Sequence, residues 1–403
     1  MHYQQLFLLL RNLLKAGGGD SPEAAVSLRR YPFTSPGSPV LPGRDKYYCK
    51  KHDISFEEHL EPPSEYKLHP LHLKDNAIEE NKFFPYYIVF PIGGATVNGV
   101  ILLFHGLNEK NWDKYLPWAA TLVQKTGKAV VLFPIAFHMD RAPKTWSDIK
   151  EMNAVAQLRQ QNCPGYSNIS YINTAISIRL ADQPERLFWS GLQTYLDIIM
   201  LIKKIKRGQL ERIAPETTID LFGYSIGAFL SIILLMANPR DYFGKSRLFA
   251  FCGGATLDRT FPISKYILDS YGGQRLNSYF SEQLYNHFRS KTRMAHYMKT
   301  HKGEHFFKFM LHYNHYKTER EGCIAEIGNR ILAVPLKKDT IAPPVEILAT
   351  LQGDFREIPT RVEPMDFNYP YDHVHPFSLM DRYQEQTDSA FEEVMQKAAD
   401  FLR

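Results

Sequence analysis

A serine flanked by two glycines stands in the segment Gly223-Tyr-Ser-Ile-Gly227. An apolar run that predicts a strand, Thr218–Phe222, precedes it, and an apolar run that predicts a helix follows. On such a strand-to-helix turn the serine backbone is strained, and glycine two residues away on each side avoids a clash. The new helix N-terminus adds N–H groups and partial positive charge beside the hydroxyl. The segment predicts Ser225 as a nucleophile; the alternative is a serine that caps a helix.

A second segment offers hydrogen-bond donors for an oxyanion. His105-Gly106-Leu107-Asn108 directly follows the apolar run Val100–Phe104. Acyl transfer needs two donors at the developing negative charge. One is expected to be the backbone N–H of Ile226, directly after the nucleophile, and the other that of Leu107. Gly106 would let the backbone approach the substrate closely.

The strand, the Gly-x-Ser-x-Gly segment and the helix resemble the α/β-hydrolases, and this resemblance implies an acid and then a histidine after the serine. Asp339 lies in a loop after the apolar run Ile331–Pro335, and Asp258 is the reserve candidate. Only His373 and His375 follow Asp339, so a catalytic histidine must be one of these two. The acid would hold the imidazole in one tautomer and stabilise its protonated form.

The elements that must position these residues follow an α/β pattern. Short apolar runs of the kind found in strands buried on both faces alternate with amphipathic helices, which predicts a mostly parallel sheet flanked by helices. The predicted strands are Tyr86–Phe90, Val100–Phe104, Ala129–Phe133, Thr218–Phe222, Leu248–Cys252, Arg330–Pro335 and Arg361–Asp366. The predicted helices include Trp112–Thr126, with Gly127 as its C-cap, Phe188–Lys206 and Gln386–Arg403.

The chain divides into an extension and one large domain. Residues 1–84 are expected to form an N-terminal helix and an irregular extension packed on the core, with a Gly-, Pro- and Ser-rich loop at about 17–45. Residues 85–403 form the α/β domain. Insertions at about 137–186 and 256–325, the second mostly helical, are expected to form a cap.

Composition excludes several classes. The net charge of +5 is spread along the chain, which argues against a nucleic-acid binder. Four dispersed cysteines indicate a reducing compartment, and a cytoplasmic location is expected. The apolar run Leu6–Leu10 is too short for a signal peptide, and no run reaches the length of an integral membrane segment.

Residues 281–320 are unusually rich in histidine, basic and aromatic side chains, including Arg289 and Lys291. A basic, aromatic cap suggests a small-molecule acyl substrate that is anionic; the alternative is a solvated helical surface whose rings pack on the core. His301 and His305 have a metal-like spacing, but they lack the His-Glu-x-x-His pattern and an evident third ligand. Neither a metal nor another cofactor is predicted.

The ordered set of His105-Gly106, Gly223–Gly227, Asp339 and a late histidine resembles the α/β-hydrolase superfamily over roughly residues 85–400. Three segments resemble more narrowly an uncharacterised bacterial family of that superfamily: His105–Asn108, Lys114–Trp118 and Phe133–Pro143. Its closing His-x-x-Pro-Phe loop maps onto His373–Phe377, and this favours His373 over His375.

The resemblance implies the α/β-hydrolase fold and a Ser-His-Asp triad of Ser225, His373 and Asp339. The implied reaction is hydrolysis of a carboxylic ester or thioester through an acyl-enzyme. Lipase, peptidase and acyltransferase activities stay open. The competing hypothesis is a non-catalytic binding or scaffolding protein on the same fold.

Overall fold

The computed structural model describes residues 1–58, 71 and 74–403, with the side chain of His287 outside the description. Part of the predicted extension, residues 59–70 and 72–73, therefore lies outside the described residues. The described residues contain eleven strands: β1 (Gly19–Ser21), β2 (Val26–Thr34), β3 (Lys46–Cys49), β4 (Ile54–Glu57), β5 (Phe83–Pro91), β6 (Val97–Phe104), β7 (Ala129–Leu132), β8 (Ile213–Tyr224), β9 (Leu248–Phe251), β10 (Ile331–Val334) and β11 (Arg361–Val362).

Nine of these strands form one sheet in the order β1-β2-β5-β7-β6-β8-β9-β10-β11. All neighbouring pairs from β7 to β11 are parallel, whereas β1, β2 and β5 join by antiparallel pairing. Strands β3 and β4 form a separate antiparallel hairpin. Since the carboxyl ends of parallel strands meet at one edge, the loops after β6, β8 and β10 come together there.

Helices cover both faces of the sheet. In chain order they are α1 (Tyr3–Lys15), α2 (Tyr115–Thr126), α3 (Ile149–Asn162), α4 (Thr174–Asp182), α5 (Arg186–Lys206), α6 (Ile226–Ala237), α7 (Ser270–Ser278), α8 (Leu284–Arg289), α9 (Arg293–Thr300), α10 (Phe307–Leu311), α11 (Lys317–Ile327), α12 (Pro344–Gln352) and α13 (Gln384–Leu402). Helices α1, α2 and α13 pack on one face, and α5, α6 and α12 pack on the other. Strand β6 lies between these layers, and Val100–Phe104 are completely buried, as their unbroken apolar sequence predicts.

The prediction that residues 17–45 form a loop is wrong for β2. This strand pairs with β5 along its whole length, from Val26 opposite Pro91 to Thr34 opposite Phe83. Two arginines and Pro32 interrupt its apolar pattern, which hides it in the sequence. Because β1 pairs only with the first three residues of β2, Pro32 lies at the edge of the described sheet, where a residue without an N–H is tolerated. Residues 19–34 thus belong to the same sheet as the predicted α/β domain.

Other local predictions differ in their boundaries. Strand β6 begins at Val97, earlier than the predicted Val100, and the chain reverses before it at Gly93-Gly94, where both residues have positive φ. Gly127 ends α2 at φ 69°, as predicted for a left-handed C-cap. The last predicted strand is shortened to β11, with one further parallel bridge between Leu336 and Met365.

The two insertions contact each other. Helices α3 and α4 lie in the first insertion, and α7 to α11 lie in the second. A buried ion pair joins them, with Arg159 Nε 2.6 Å from Asp269 Oδ2. Asp269 also accepts the N–H of Gly272 and so caps α7. Among the described helices, none is long and apolar enough to cross a membrane.

Candidate active site

Ser225 stands between the last residue of β8 and the first residue of α6, with φ 55° and ψ −119°. This is a sparsely populated conformation for a residue with a side chain, and such strain is characteristic of functional sites. Steric contacts explain the flanking glycines. A Cβ on Gly223 would lie 2.5 Å from the Cα of Ala228, and one on Gly227 would lie 2.4 Å from the carbonyl oxygen of Phe104.

A third glycine is required here that the motif does not predict. A Cβ on Gly253 would lie 2.6 Å from the carbonyl oxygen of Ser225. Gly253 directly follows the turn after β9, next to the strand that carries the serine. The sequence signal is the pair Gly253-Gly254 at a strand end, which becomes informative only when β8 and β9 are known to be neighbours.

Ser225, His373 and Asp339 are connected by hydrogen bonds. Ser225 Oγ lies 2.7 Å from Nε2 of His373, and Nδ1 of His373 lies 2.7 Å from Oδ2 of Asp339. The other carboxylate oxygen of Asp339 accepts the N–H groups of Ile341, at 2.9 Å, and Ala342, at 3.0 Å. Asp339 is thereby fixed as an acceptor toward the imidazole, which places the Nδ1 proton between them.

The loop that carries His373 is held by residues of distant elements. The hydroxyl of Tyr224 donates to the carbonyl oxygen of His373, and the two rings stack with centroids 5.5 Å apart. Lys114 donates to the carbonyl oxygen of Val374 at 3.0 Å and forms an ion pair with Glu109. The imidazole is therefore oriented by contacts from β8 and from the segment before α2.

The two reserve residues lie elsewhere. His375 is exposed, and its Nδ1 is 3.2 Å from Asp372. Asp258 accepts the hydroxyl of Thr256 and the N–H of Tyr313, at 2.8 and 2.9 Å. The structure brings neither side chain to Ser225. His373 is the histidine that contacts Ser225, and Asp339 contacts the other nitrogen of its ring.

Leu107 and Ile226 line the same cavity as Ser225. Ile226 is the first residue of α6, so its N–H has no acceptor within the helix. The loop carrying Leu107 is anchored by Asn108, at φ 63°, whose amide donates to the carbonyl oxygens of Ile172 and Tyr266 at 3.0 and 2.7 Å. Both residues predicted to supply oxyanion donors thus line the cavity that contains Ser225.

His105 positions the loop that carries Leu107. The N–H of Ile135 donates to its Nε2 at 2.9 Å, which assigns the ring proton to Nδ1, and Nδ1 donates to the carbonyl oxygen of Gly106 at 2.8 Å. Complete burial, and then the neighbouring His138, hold the pKa of His105 well below its usual value. Because both nitrogens are engaged, His105 is a positioning residue and not a candidate base.

Two adjoining cavities, which share Leu107 and Ile267 in their walls, flank Ser225 and His373; we call them the apolar side and the polar side of the site. The apolar side, beside Ser225, is lined by Phe229, Leu257, Ile267 and Leu276. The polar side, beside His373, is lined by groups that include Asn108, Glu109 and Lys110. Burial lowers the pKa of Lys110 to about 8. Within the described part of the chain, none of the basic side chains of residues 281–320 lines either side.

A mostly parallel sheet covered by helices on both faces, with a strained serine after a central strand, defines the α/β-hydrolase fold. The chain belongs to DUF6051, a family of unknown function, whose family model matches residues 1–403. No curated protein matches this sequence.

Solved structures that resemble the chain include esterases and a cyclase. Carboxyl esterase 2 from the fungus Tuber melanosporum is 12% identical over 79% of this chain and 81% of that chain, with a TM-score of 0.39. A thermostable esterase from Pseudomonas putida is 10% identical over 100% of this chain and 92% of that chain, with a TM-score of 0.43. Vibralactone cyclase is 9% identical over 98% of this chain and 85% of that chain, with a TM-score of 0.44.

Proposed function

We propose that this protein is a serine hydrolase that cleaves a carboxylic ester or thioester through an acyl-enzyme. The observation that carries the proposal is the unbroken set of hydrogen bonds from Ser225 through His373 to Asp339, with both distances at 2.7 Å. A nucleophile within hydrogen-bond reach of a base, itself oriented by a third group, is the arrangement that activates a serine.

In the first half-reaction, Ser225 Oγ attacks the carbonyl carbon while Nε2 of His373 accepts the hydroxyl proton. The N–H groups of Leu107 and Ile226 stabilise the charge that develops on the carbonyl oxygen. Asp339 stabilises the imidazolium. His373 then gives its proton to the leaving oxygen or sulfur as the bond to the acyl group breaks. In the second half-reaction, water loses a proton to His373 and attacks the acyl-enzyme. The bond from the acyl carbon to Ser225 Oγ then breaks, His373 returns the proton to Oγ, and the acid is released.

The lining of the cavity supports an apolar acyl group. Leu257, Ile267 and Leu276 offer no charge to an anionic acyl chain, and Arg289 and Lys291 are exposed away from it. We therefore favour a neutral acyl group on this side over the anionic one that the composition of residues 281–320 suggests. Lys110 lies on the other side, so a negative charge on the substrate would be accommodated on the leaving group.

We infer a reducing, cytoplasmic location, which is supported by the four cysteines, none of which forms a disulfide bond.

The experiment that tests the proposal is labelling with a fluorophosphonate probe, followed by a screen of p-nitrophenyl esters and acyl thioesters. Wild type should label at Ser225 and turn over a short ester, and Ser225→Ala should lose both, with a fall in kcat of up to about 10⁶-fold. Ser281→Ala is the matched control and should label like wild type. A folded wild type that neither labels nor turns over any ester would overturn the proposal and favour a binding protein on this fold.

A further inference from the structure

Four side chains from two distant parts of the chain converge away from Ser225. They are Cys49 at the end of β3, His52 in the turn before β4, His296 in α9, and His301 directly after α9. We call them the Cys-His cluster. One potential ligand atom from each lies within 4.8 Å of the others. None of the four lines the cavity at Ser225.

The spacing of the ligand atoms fits a tetrahedral ion. Sγ of Cys49 lies 3.4 Å from Nε2 of His301 and 3.5 Å from Nδ1 of His52. Bond lengths of about 2.3 Å to sulfur and about 2.05 Å to nitrogen around a tetrahedral Zn²⁺ separate these atoms by about 3.6 Å. The side chains therefore already stand at the separations that a shared ion requires.

The far sides of two imidazoles are oriented by polar neighbours. Nδ1 of His301 is 3.3 Å from Glu304, and Nδ1 of His296 is 3.2 Å from the hydroxyl of Thr300. Histidines that bind metals commonly use their other nitrogen in this way, often with a carboxylate. Each ring thereby turns its Nε2 inward, toward the centre of the cluster.

Hydrogen bonds alone leave the cluster incomplete. Nε2 of His296 is buried and has no hydrogen-bond partner among the described residues. Cys49, His296 and His301 are each more than nine-tenths buried, so solvent has little access to them. A thiol carries one proton and cannot satisfy three inward-facing nitrogens. A cation at the centre satisfies all four atoms together.

We propose that the Cys-His cluster is a structural Zn²⁺ site, with Sγ of Cys49, Nδ1 of His52, and Nε2 of His296 and His301 as its ligands. One thiolate and three neutral imidazoles suit Zn²⁺, and four protein ligands leave no open position for catalysis. Binding releases the Cys49 thiol proton to solvent, and the metal–sulfur bond forms in its place.

The site would fasten the β3–β4 hairpin to the second insertion. A neighbouring contact joins the same two parts, since Arg293 in α9 forms a bidentate ion pair with Glu58, at 2.6 and 2.9 Å. His305, which the sequence spacing pairs with His301, is not part of the cluster; its Nδ1 faces the carbonyl oxygen of His301 at 3.2 Å. The useful sequence signal is Cys49-Lys-Lys-His52, whose partners lie in the second insertion.

The first measurement is the zinc content of the full chain, purified without chelator and then loaded with Zn²⁺ and desalted. Wild type should retain one zinc per chain, and Cys49→Ser should retain less than about a tenth of this. His305→Ala and Cys323→Ser, which alter the same residue types outside the cluster, should retain wild-type zinc. The milder Glu304→Gln should weaken zinc affinity by about 10–100-fold in a chelator competition.

A second measurement does not depend on whether the variants fold. Wild type loaded with Co²⁺ should show the intense visible bands of four-coordinate cobalt and a thiolate-to-cobalt charge-transfer band. Wild type that retains no zinc after loading, or Co²⁺ bound with only weak octahedral bands, would overturn the proposal. So would a folded Cys49→Ser variant with wild-type zinc affinity. Ser225→Ala should keep its zinc, so the outcome is separate from that of the hydrolase proposal.

Discussion

Oδ2 of Asp339 lies 2.7 Å from Nδ1 of His373, and each of these residues is at most 4% exposed. The carboxylate reaches the imidazole already oriented, because two backbone N–H groups hold its other oxygen. In the proposed triad, an acid held in this way acts through the tautomer of the histidine, and it does not need to take up the proton.

Asp339→Asn should lower kcat by about 10⁴-fold while leaving the fold intact, because an amide N–H facing Nδ1 stabilises the wrong imidazole tautomer. Steady-state turnover of an activated ester measures the effect, and circular dichroism checks the fold. Asp258→Asn is the control and should keep activity, since that carboxylate contacts Thr256 and Tyr313 instead. Comparable losses of kcat in the two variants would contradict the assignment of Asp339 as the acid.

Substitution of the two late histidines should separate their roles. His373→Ala should reduce kcat by up to about 10⁶-fold, because no other base in the described part of the chain hydrogen-bonds to Ser225 Oγ. His375→Ala should change kcat by less than about twofold, as expected for an exposed side chain. Parallel ester assays on both variants give the answer. Loss of activity only in His375→Ala would mean that the loop rearranges during catalysis.

Lys110→Met should stabilise the protein in a pH-dependent manner. Burial lowers the pKa of Lys110 to about 8 from 10.5, only partly offset by Glu109. The folded state therefore disfavours the charged lysine. This penalty is fully present below pH 8, and it disappears as the pH rises from 8 to 10.5.

The free energy of unfolding of Lys110→Met should exceed that of wild type by about 1–3 kcal/mol at pH 7, with a smaller gain at pH 9.5. Urea unfolding at both pH values measures this difference. Lys291→Met, at an exposed position, should show no such dependence. An equal gain at both pH values would show that the benefit comes from packing and not from charge.

Asp197→Asn should destabilise the fold by about 3–5 kcal/mol, because it leaves the buried guanidinium of Arg141 without its counter-ion. Arg141 also donates to the carbonyl oxygen of Pro134 and to Asn81, both at 3.0 Å, so the charge is fixed in place. The exposed pair of Arg361 and Glu363 provides the contrast, and Glu363→Gln should cost less than about 1 kcal/mol. Denaturant titration that finds similar costs for both variants would contradict this argument.

The sequence pattern predicts those site residues that lie just after a strand, because the sheet brings the ends of its parallel strands together. An apolar run ends shortly before each of Ser225, Leu107 and Asp339, and the parallel arrangement of the strands takes these residues to one edge of the sheet. The choice between His373 and His375 could not come from such a pattern. It depends on contacts that the loop makes with Tyr224 and Lys114, which are remote in sequence.

Strand β2 and the Cys-His cluster could not be predicted from the sequence, for different physical reasons. Strand β2 contains Pro32 and charged residues, and it forms because β5 offers a pairing edge along its entire length. The Cys-His cluster combines two short-range pairs from distant segments, and neither pair is distinctive by itself. Both features depend on long-range contacts, which local patterns do not encode.

The residues that line the apolar side and the residues of the proposed triad lie on different parts of the chain, which has a consequence for changes in substrate selectivity. The reacting groups stand on loops fastened to the central sheet, whereas Leu257, Ile267 and Leu276 line the apolar side from the second insertion. Exchanging those three side chains for larger or smaller ones would resize the wall that an acyl chain meets without moving the hydroxyl or the imidazole. Under the proposed function, substitutions in the second insertion would therefore change substrate selectivity, in evolution or in a combinatorial library, without altering the reacting groups.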